Sequence, residues 1–347
     1  MNLYRGCAHD CAYCDGRAEG YYVAGEFGCD VGVKIHALDI LRREIDPARR
    51  RKPLKRAYML LGGGVGDCYQ PLEREYRLSR GALELFLERG WPVHVLTKST
   101  LVERDFDILR EINQRARAIV SCSFSTVDDA TARIFEPGAS PPSERLALLR
   151  RAREAGLACG MFLMPVIPCV TDSPESIDRA LDAARRAGVD FVIFGGLTLK
   201  EGRQYDHFMP ILRRRFPEAA HTYSILYRGD RWGAADSDYK GSLNELVGRL
   251  AGRRGVSLRM PARLWRDILD QNDRVVTMLE HIDYYLRLWG RSSPYGYAAW
   301  SLSRVNEPFA DNRFGLRHVK GVGPRVHRTV LEILDTGRST LLERLAR

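Results

Sequence analysis

The chain has 347 residues, a formal charge of +10, 45% hydrophobic residues and 28% charged ones, a balance that excludes a disordered or fibrous chain and fits one large domain plus a smaller one. No window approaches ~18 uninterrupted apolar residues, and the opening MNLYRGCAHDC lacks the apolar core of a signal peptide. A membrane span is therefore not expected, a cytoplasmic and reducing setting is, and the eight cysteines read as thiols or metal ligands, not disulfides.

Short apolar runs recur along the first 235 residues: Ala57–Gly62, Pro92–Thr97, Ala118–Phe124, Leu157–Leu163 and Val189–Gly195. Each is too short for a helix and rich in Val, Ile, Leu or Phe, which predicts buried parallel strands. A sixth strand is expected at Thr222–Tyr227. Between the runs, Leu78–Arg89, Phe106–Ile112, Pro142–Ala155 and Pro174–Ala187 carry apolar residues at helical period. Gly90, Gly156 and Gly188 stand just before strands, where a helix C-terminal glycine takes positive φ. Ser143 and either Asp172 or Ser173 are candidate N-caps. This alternation predicts a right-handed parallel α/β fold, and the missing strands favour an open partial barrel over a complete one.

Past about residue 235 the pattern becomes helical. Leu243–Leu250 and Ala262–Trp289 read as helices, the second with an apolar stripe from Leu264 through Ile268, Val275, Leu279, Ile282 and Leu286 to Trp289. A Ser, Pro, Gly and Tyr loop is expected at Ser292–Tyr297, then two short helices flanking Gly321–Pro324. The expected division is 1–235 for an α/β core and 236–347 for a smaller helical region.

The strongest chemical signal is Cys7-Ala-His-Asp-Cys11-Ala-Tyr-Cys14. Three thiolates within eight residues can wrap one metal centre, and thiolates favour zinc and iron–sulfur clusters. Three ligands leave a fourth position open; in a cubane this is one iron free for substrate or cofactor. Cys29 as a fourth ligand would instead make a closed structural site. Cys122, Cys159 and Cys169 lie on or beside apolar strands and read as small core residues.

Cys-x3-Cys-x2-Cys with an aromatic before the last cysteine resembles the radical SAM superfamily signature. NLYRGCAHDCAYCDGR, DCYQPLE and LTKSTLVERD together resemble its spore-photoproduct-lyase-like branch, over roughly residues 2–235. The resemblance implies a partial (β/α)6 barrel of TIM type. It implies a [4Fe-4S] cluster on Cys7, Cys11 and Cys14, with S-adenosylmethionine chelating the open iron. It further implies an external electron donor, reductive cleavage to a 5′-deoxyadenosyl radical, and hydrogen abstraction from a substrate, a nucleic acid among the candidates. The reading from a different class is a nucleic-acid-binding protein whose iron–sulfur or zinc cluster is purely structural; reductive cleavage of S-adenosylmethionine separates the two.

Gly62-Gly63-Gly64-Val65-Gly66-Asp67 follows the first strand. Its glycines permit close approach to a ligand at the C-terminal strand end, where α/β sites form. The resemblance implies that the loop, through Gly63, Gly64 and Gly66, meets the cofactor's amino group and that Asp67 accepts its hydrogen bonds; capping the next segment is the plainer role for Asp67. Lys98 ends the next strand, and the resemblance pairs it with the cofactor carboxylate; a solvated strand-end lysine is the plainer reading. Ser123, Tyr13 and Met164-Pro165-Val166 match further contact positions. One departure stands out. The branch has a hydrogen-donating cysteine just before a Ser-Asp pair, whereas here the aligned position is Gly64, the pair is Gly66-Asp67 and Cys68 lies beyond it.

Two basic stretches remain. Arg49–Arg56 precedes a strand, so it is expected on the face opposite the active site. Residues 236–347 hold 19 Lys or Arg against 13 Asp or Glu, a net +6, while residues 1–235 hold 35 against 31, a net +4. Within the tail, Leu316–Val326 resembles the hairpin of a helix-hairpin-helix element, with Lys320, Arg325 and Arg328 adding charge for a nucleic-acid partner. An ordinary turn with exposed basic residues is the alternative.

Overall fold

The computed structural model describes residues 1–347 except Tyr22, Ala24, 50–53 and Arg347. Half of the basic run at 49–56 therefore lies outside the described residues. A short antiparallel pair, β1 (Tyr4–Arg5) and β2 (Gly32–Val33), flanks the cysteine loop. Five parallel strands then stand side by side in chain order: β3 (Met59–Leu61), β4 (Val93–Thr97), β5 (Ala118–Phe124), β6 (Ala158–Val166) and β7 (Phe191–Gly196). Val93 pairs with Ala118, Ile119 with Ala158, and Gly160 with Phe191. β4 and β5 are buried along almost their whole length, as strands covered on both faces must be.

Helices α1 (Ala37–Glu44), α2 (Glu73–Tyr76), α3 (Leu78–Arg89), α4 (Phe106–Arg115), α5 (Asp129–Phe135), α6 (Pro142–Glu154), α7 (Pro174–Arg186) and α8 (Arg203–Arg215) connect and cover the strands. Gly90, Gly156 and Gly188 close α3, α6 and α7 with φ of 64°, 80° and 73°. Ser173 caps α7, its hydroxyl accepting from Ser176 N at 3.2 Å. Ser143 is not a cap. Pro141 holds that position, and the Ser143 amide and hydroxyl donate to Asp129 at 2.9 and 2.6 Å.

Thr222–Tyr227 is not a strand: Thr222–Leu226 lie in helix α9 (Ala220–Leu226) and Tyr227 caps its C-terminus. Tyr223 and Tyr227 stand four residues apart, so a helix puts both rings on one face, where Tyr223 packs on Phe208 at 5.6 Å and on Tyr227 at 5.5 Å. Cys122 and Cys159 are buried as expected, but Cys169 is exposed on the loop after β6, with φ of 60°.

Residues 236–347 are helical: α10 (Ser237–Arg254), α11 (Gln271–Leu288), α12 (Tyr295–Leu302), α13 (Pro324–Thr336) and α14 (Thr340–Leu345). The expected helix Ala262–Trp289 is broken. Ala262–Leu264 forms a short turn, and α11 starts only after Asp270, whose carboxylate accepts from Asp273 N at 2.8 Å. The stripe divides accordingly: Leu264 packs with Ile119 and Phe191, the residues from Val275 to Leu286 form the helical core, and Trp289 is exposed. Tyr295–Tyr297, expected in a loop, already belong to α12.

How this region meets the sheet decides which end stays open. α10 sends Leu243, Val247 and Leu250 into the core around the sheet. The chain then crosses the N-terminal strand ends. Val192 N donates to Ser257 O at 2.8 Å, Met260 and Leu264 pack on Phe191, and the Tyr58 hydroxyl donates to Leu264 O. Ion pairs Arg117–Asp267 and Lys55–Asp273 stand at the same end. The C-terminal strand ends are left uncovered by this region. Among the described residues no helix is long and apolar enough to cross a membrane.

Candidate active site

The cysteine loop runs from β1 to a 3₁₀ turn at Asp15–Arg17 and is fixed by backbone contacts on several sides. Ala8 N donates to Gln70 Oε1 at 2.9 Å, Ala12 N to Phe135 O at 2.7 Å and Gly138 N to His9 O at 3.0 Å. A Cβ on Gly138 would fall 2.3 Å from Ala8 O, so only glycine allows that approach. Buried Arg17 donates to Cys11 O at 3.1 Å and pairs with Asp10. Cys7 and Cys11 are buried, Cys14 is half-buried, and Gly16 N donates to Cys14 Sγ at 3.4 Å.

The three cysteines open onto a cavity of about 280 Å³ at the C-terminal strand ends. Every residue expected in the site lines it: Cys7, Cys11, Cys14, Tyr13, Gly63, Gly64, Gly66, Asp67, Lys98 and Ser123. Met164 and Pro165 line it as well, while Val166 is buried outside it. The topology accounts for the convergence. The glycine loop follows β3, Lys98 follows β4, Ser123 is the penultimate residue of β5, and Met164 and Pro165 lie near the end of β6. Gly62, Gly63 and Gly64 take φ of 83°, 83° and 70°, and a Cβ on Gly62 would collide with Leu96 O at 2.0 Å. Cys29 is exposed and does not line the cavity; Cys68 is buried beside Gly62, where burial pushes its thiol up, and also does not line it.

Asp67 lines the wall, but both carboxylate oxygens are committed within the protein. Oδ1 accepts from Tyr69 N at 2.8 Å and Thr97 Oγ1 at 2.7 Å; Oδ2 accepts from Lys98 N at 2.7 Å and lies 3.4 Å from His9 Nδ1. Burial opposes its charge, yet His9 and these donors prevail and hold its pKa down at about 2. The carboxylate thus ties the glycine loop, the end of β4 and the cysteine loop together.

A second buried carboxylate, Glu136, had no signal in the sequence: it follows α5 and belongs to no motif. Its Oε1 accepts from Ser125 Oγ at 2.7 Å, Lys98 Nζ at 3.2 Å and the Tyr13 hydroxyl; its Oε2 pairs with fully buried Arg145 at 2.5 Å. Burial opposes ionisation, but Arg145, Lys98 and the hydroxyls keep the carboxyl well below the usual range. Lys98 Nζ also donates to Ser123 Oγ at 2.9 Å and stands 5.6 Å from the centre of the Tyr13 ring. Lys98, Arg145 and Glu136 leave one net positive charge at the wall, suited to one carboxylate from outside.

The donor set fits an iron–sulfur cluster. Among the described residues no three His, Cys, Asp or Glu side chains close around a single ion. A cubane needs something else: three thiolates facing one space, each for its own iron, with room left at the fourth. Burial pushes the Cys11 and Cys14 thiols up, so ionising them requires the charge of a metal.

The Radical SAM superfamily profile matches residues 1–174. An uncharacterised protein of Mycobacterium tuberculosis (strain ATCC 25618 / H37Rv) is 35% identical over 257 residues, covering 73% of each chain. The chain belongs to the radical SAM superfamily. A second uncharacterised relative of this radical SAM enzyme, from Acidianus two-tailed virus, is 30% identical over 219 residues, 61% of this chain and 71% of the relative. Among solved structures, spore photoproduct lyase complexed with dinucleoside spore photoproduct matches with a TM-score of 0.51 at 17% identity over 73% of each chain. A mutant of that lyase with bound AdoMet and the dinucleoside matches with a TM-score of 0.51 at 18% identity over 72% of each chain. At such identity the likeness shows a shared fold. The cofactors of this enzyme are a [4Fe-4S] cluster and S-adenosylmethionine. Membership in the superfamily sets aside the reading of a binding protein with a purely structural cluster.

Proposed function

We propose that Cys7, Cys11 and Cys14 hold the [4Fe-4S] cluster and that the adjoining cavity holds S-adenosylmethionine. The observation that carries this reading is convergence: ten residues from four separate segments line one cavity at the open ends of the strands. Held there and reduced by an external donor, the cluster would supply the electron for reductive cleavage of the cofactor, and the 5′-deoxyadenosyl radical so formed would take a hydrogen atom from the substrate. Lys98 pairs with the cofactor carboxylate, and Ser123 and Glu136 hold its ammonium in position. The backbone of Gly63, Gly64 and Gly66 meets the methionyl amino group. With its oxygens already occupied, Asp67 sets the shape of that loop. Tyr13, fixed through its hydroxyl by Glu136, walls the cavity. Residues 1–235 carry this chemistry, 236–347 brace the far end of the sheet, and the oxygen-sensitive cluster suits a cytoplasmic setting.

For the substrate we favour a nucleotide unit. The lyase of like fold was captured with a dinucleoside spore photoproduct. Beside the first cavity lies another of about 550 Å³, lined by Tyr21, Lys200, Arg231 and Trp232 among others. Asp15 joins the two, lining the first while its carboxylate binds Lys200 at 3.0 Å. Trp232 is exposed beneath Arg231, and Tyr21 beneath Lys200, an arrangement suited to a flat heterocycle. Buried Cys68 is poorly placed to return a hydrogen atom from the cavity side, so the outcome need not match photoproduct reversal.

The test is anaerobic reconstitution with iron and sulfide, reduction with dithionite and chromatography for 5′-deoxyadenosine. Its formation is expected even without substrate, at a slow rate. A fully loaded, reduced enzyme that binds S-adenosylmethionine and never cleaves it would overturn the reading.

A further inference from the structure

In the α/β region some exposed arginines pair with carboxylates, Arg151 with Glu103 and Arg186 with Asp182. The C-terminal hairpin supplies no carboxylate of its own. Residues 312–331 hold five Lys or Arg and no Asp or Glu. Arg313 pairs with Asp335, but Arg317, Lys320, Arg325 and Arg328 are exposed and have no carboxylate partner among the described residues. Such clustering leaves unneutralised positive charge on one face.

Beside it stands a ladder of rings and cations. Tyr297 and Trp300, one turn apart on α12, stack at 5.6 Å with an interplanar angle of 21°. The Arg304 guanidinium lies 3.8 Å from the centre of the Trp300 ring, and Lys320 Nζ lies 5.9 Å from that of Tyr297. The order is Arg304, Trp300, Tyr297, Lys320. The hairpin turn is seated on it: Gly321 has φ of 88°, and a Cβ there would come within 2.6 Å of the Tyr297 ring. Trp300 is 50% exposed and Tyr297 45%. Large aromatics left this open beside uncompensated cations match the chemistry of a polyanion that also carries flat rings.

We propose that this face binds a single-stranded nucleic acid. Phosphates meet Arg317, Lys320, Arg325 and Arg328, and a base extends the ladder on the outer face of the Arg304 guanidinium. Insertion into a membrane is disfavoured, because entry of the Trp300 ring would carry the Arg304 charge with it. The helical unit that bears this face covers the N-terminal strand ends, whereas the catalytic cavity opens at the C-terminal ends. The face is therefore an anchor, not the reacting site, and raises the local concentration of a strand. The inference goes beyond the reading of the cavity and does not depend on it.

The test is fluorescence anisotropy of a labelled oligothymidylate with the full chain across a salt series. Binding is expected at low salt, with log K falling against log salt at roughly −0.7 per phosphate, or about −3 for four contacts. Lys320→Ala with Arg325→Ala should flatten that slope by roughly 1.4. Trp300→Ala should weaken binding about tenfold at every salt concentration with the slope unchanged. If Trp300→Ala disturbs α12, Arg304→Lys keeps the charge, removes the plane and should weaken binding in the same way. No binding at low salt, affinity indifferent to Trp300 and Arg304, or equal binding to phosphatidylserine vesicles would each overturn the proposal. Cleavage of S-adenosylmethionine by the same variants, expected at the wild-type rate, separates failure of this face from failure of the cavity reading.

Discussion

Replacing Lys98 by Met tests the charge logic of the cavity. Met keeps most of the aliphatic stem beside Tyr13 and removes only the cation. The ammonium has three donors. Two are committed, to Ser123 Oγ at 2.9 Å and Glu136 Oε1 at 3.2 Å, which leaves one for the cofactor carboxylate. One charge-assisted hydrogen bond contributes about 1.5–3 kcal/mol, or roughly tenfold to a hundredfold in Kd. The openness of the cavity places the expected loss toward the lower end of that range. The fold should tolerate the change, because Glu136 keeps Arg145, Tyr13 and the Ser125 hydroxyl. The assay is anaerobic titration of S-adenosylmethionine into reconstituted protein, with iron and sulfide measured alongside. Weaker binding at full cluster content is the expected result. Unchanged affinity would remove Lys98 from the carboxylate site, and loss of the cluster would show that the residue supports the loop instead.

Glu136→Gln should act on stability first: it leaves a fully buried Arg145 without its carboxylate, a loss of about 3–5 kcal/mol readable by denaturant unfolding. A stability change as small as that of Lys98→Met would refute the asymmetry between the two cations. Cys7→Ala, Cys11→Ala and Cys14→Ala should each abolish the brown absorption of the reconstituted cluster, while Cys29→Ala should leave it intact; equal loss with Cys29→Ala would mean a four-cysteine site. His94 is buried against Ser121 Oγ at 2.8 Å, and burial lowers its pKa to about 4. Below the unfolded value of 6.5 the unfolded chain takes up the proton first, so this contribution to stability is present above pH 6.5 and is lost as pH falls toward 4, by roughly 3 kcal/mol in all. His94→Gln should flatten the pH dependence of unfolding by about one proton across that window; an unaltered profile would show that His94 is not the group concerned.

The strands were legible because burial on both faces leaves a mark in composition. Ala118–Phe124 carries no charged residue, and it is found where the apolar run stands. The helix ends at Gly90, Gly156 and Gly188 were legible because positive φ selects glycine. The failures share a cause. Thr222–Tyr227 has the composition of a strand, but Tyr223 packs on both Phe208 and Tyr227, which a helical spacing of four allows, and Phe208 is invisible in a local window. Ala262–Trp289 reads as one stripe because Leu264 and Leu279 are equally apolar; nothing local says that one closes the sheet's lower end and the other builds a separate core.

The site divides in the same way. The residues proposed to meet the cofactor are constrained by its chemistry, and that chemistry would fix spacing: three thiolates in one loop, glycines at a strand end, a cation one residue past a strand. Glu136 does not line the cavity. Its identity follows from two cations, half-buried Lys98 and buried Arg145, 47 residues apart in the sequence, which become one electrostatic problem only when β4, β5 and α6 are assembled. Without a carboxylate between them, two positive charges would stand together in a nearly dry wall; a second carboxylate there would cancel the surplus that suits the wall to an incoming one. A single Glu satisfies both conditions, and it could have entered from any element that reaches that point. The fold therefore determines where the compensating charge must be, while the sequence by itself contains no spacing from which to find it.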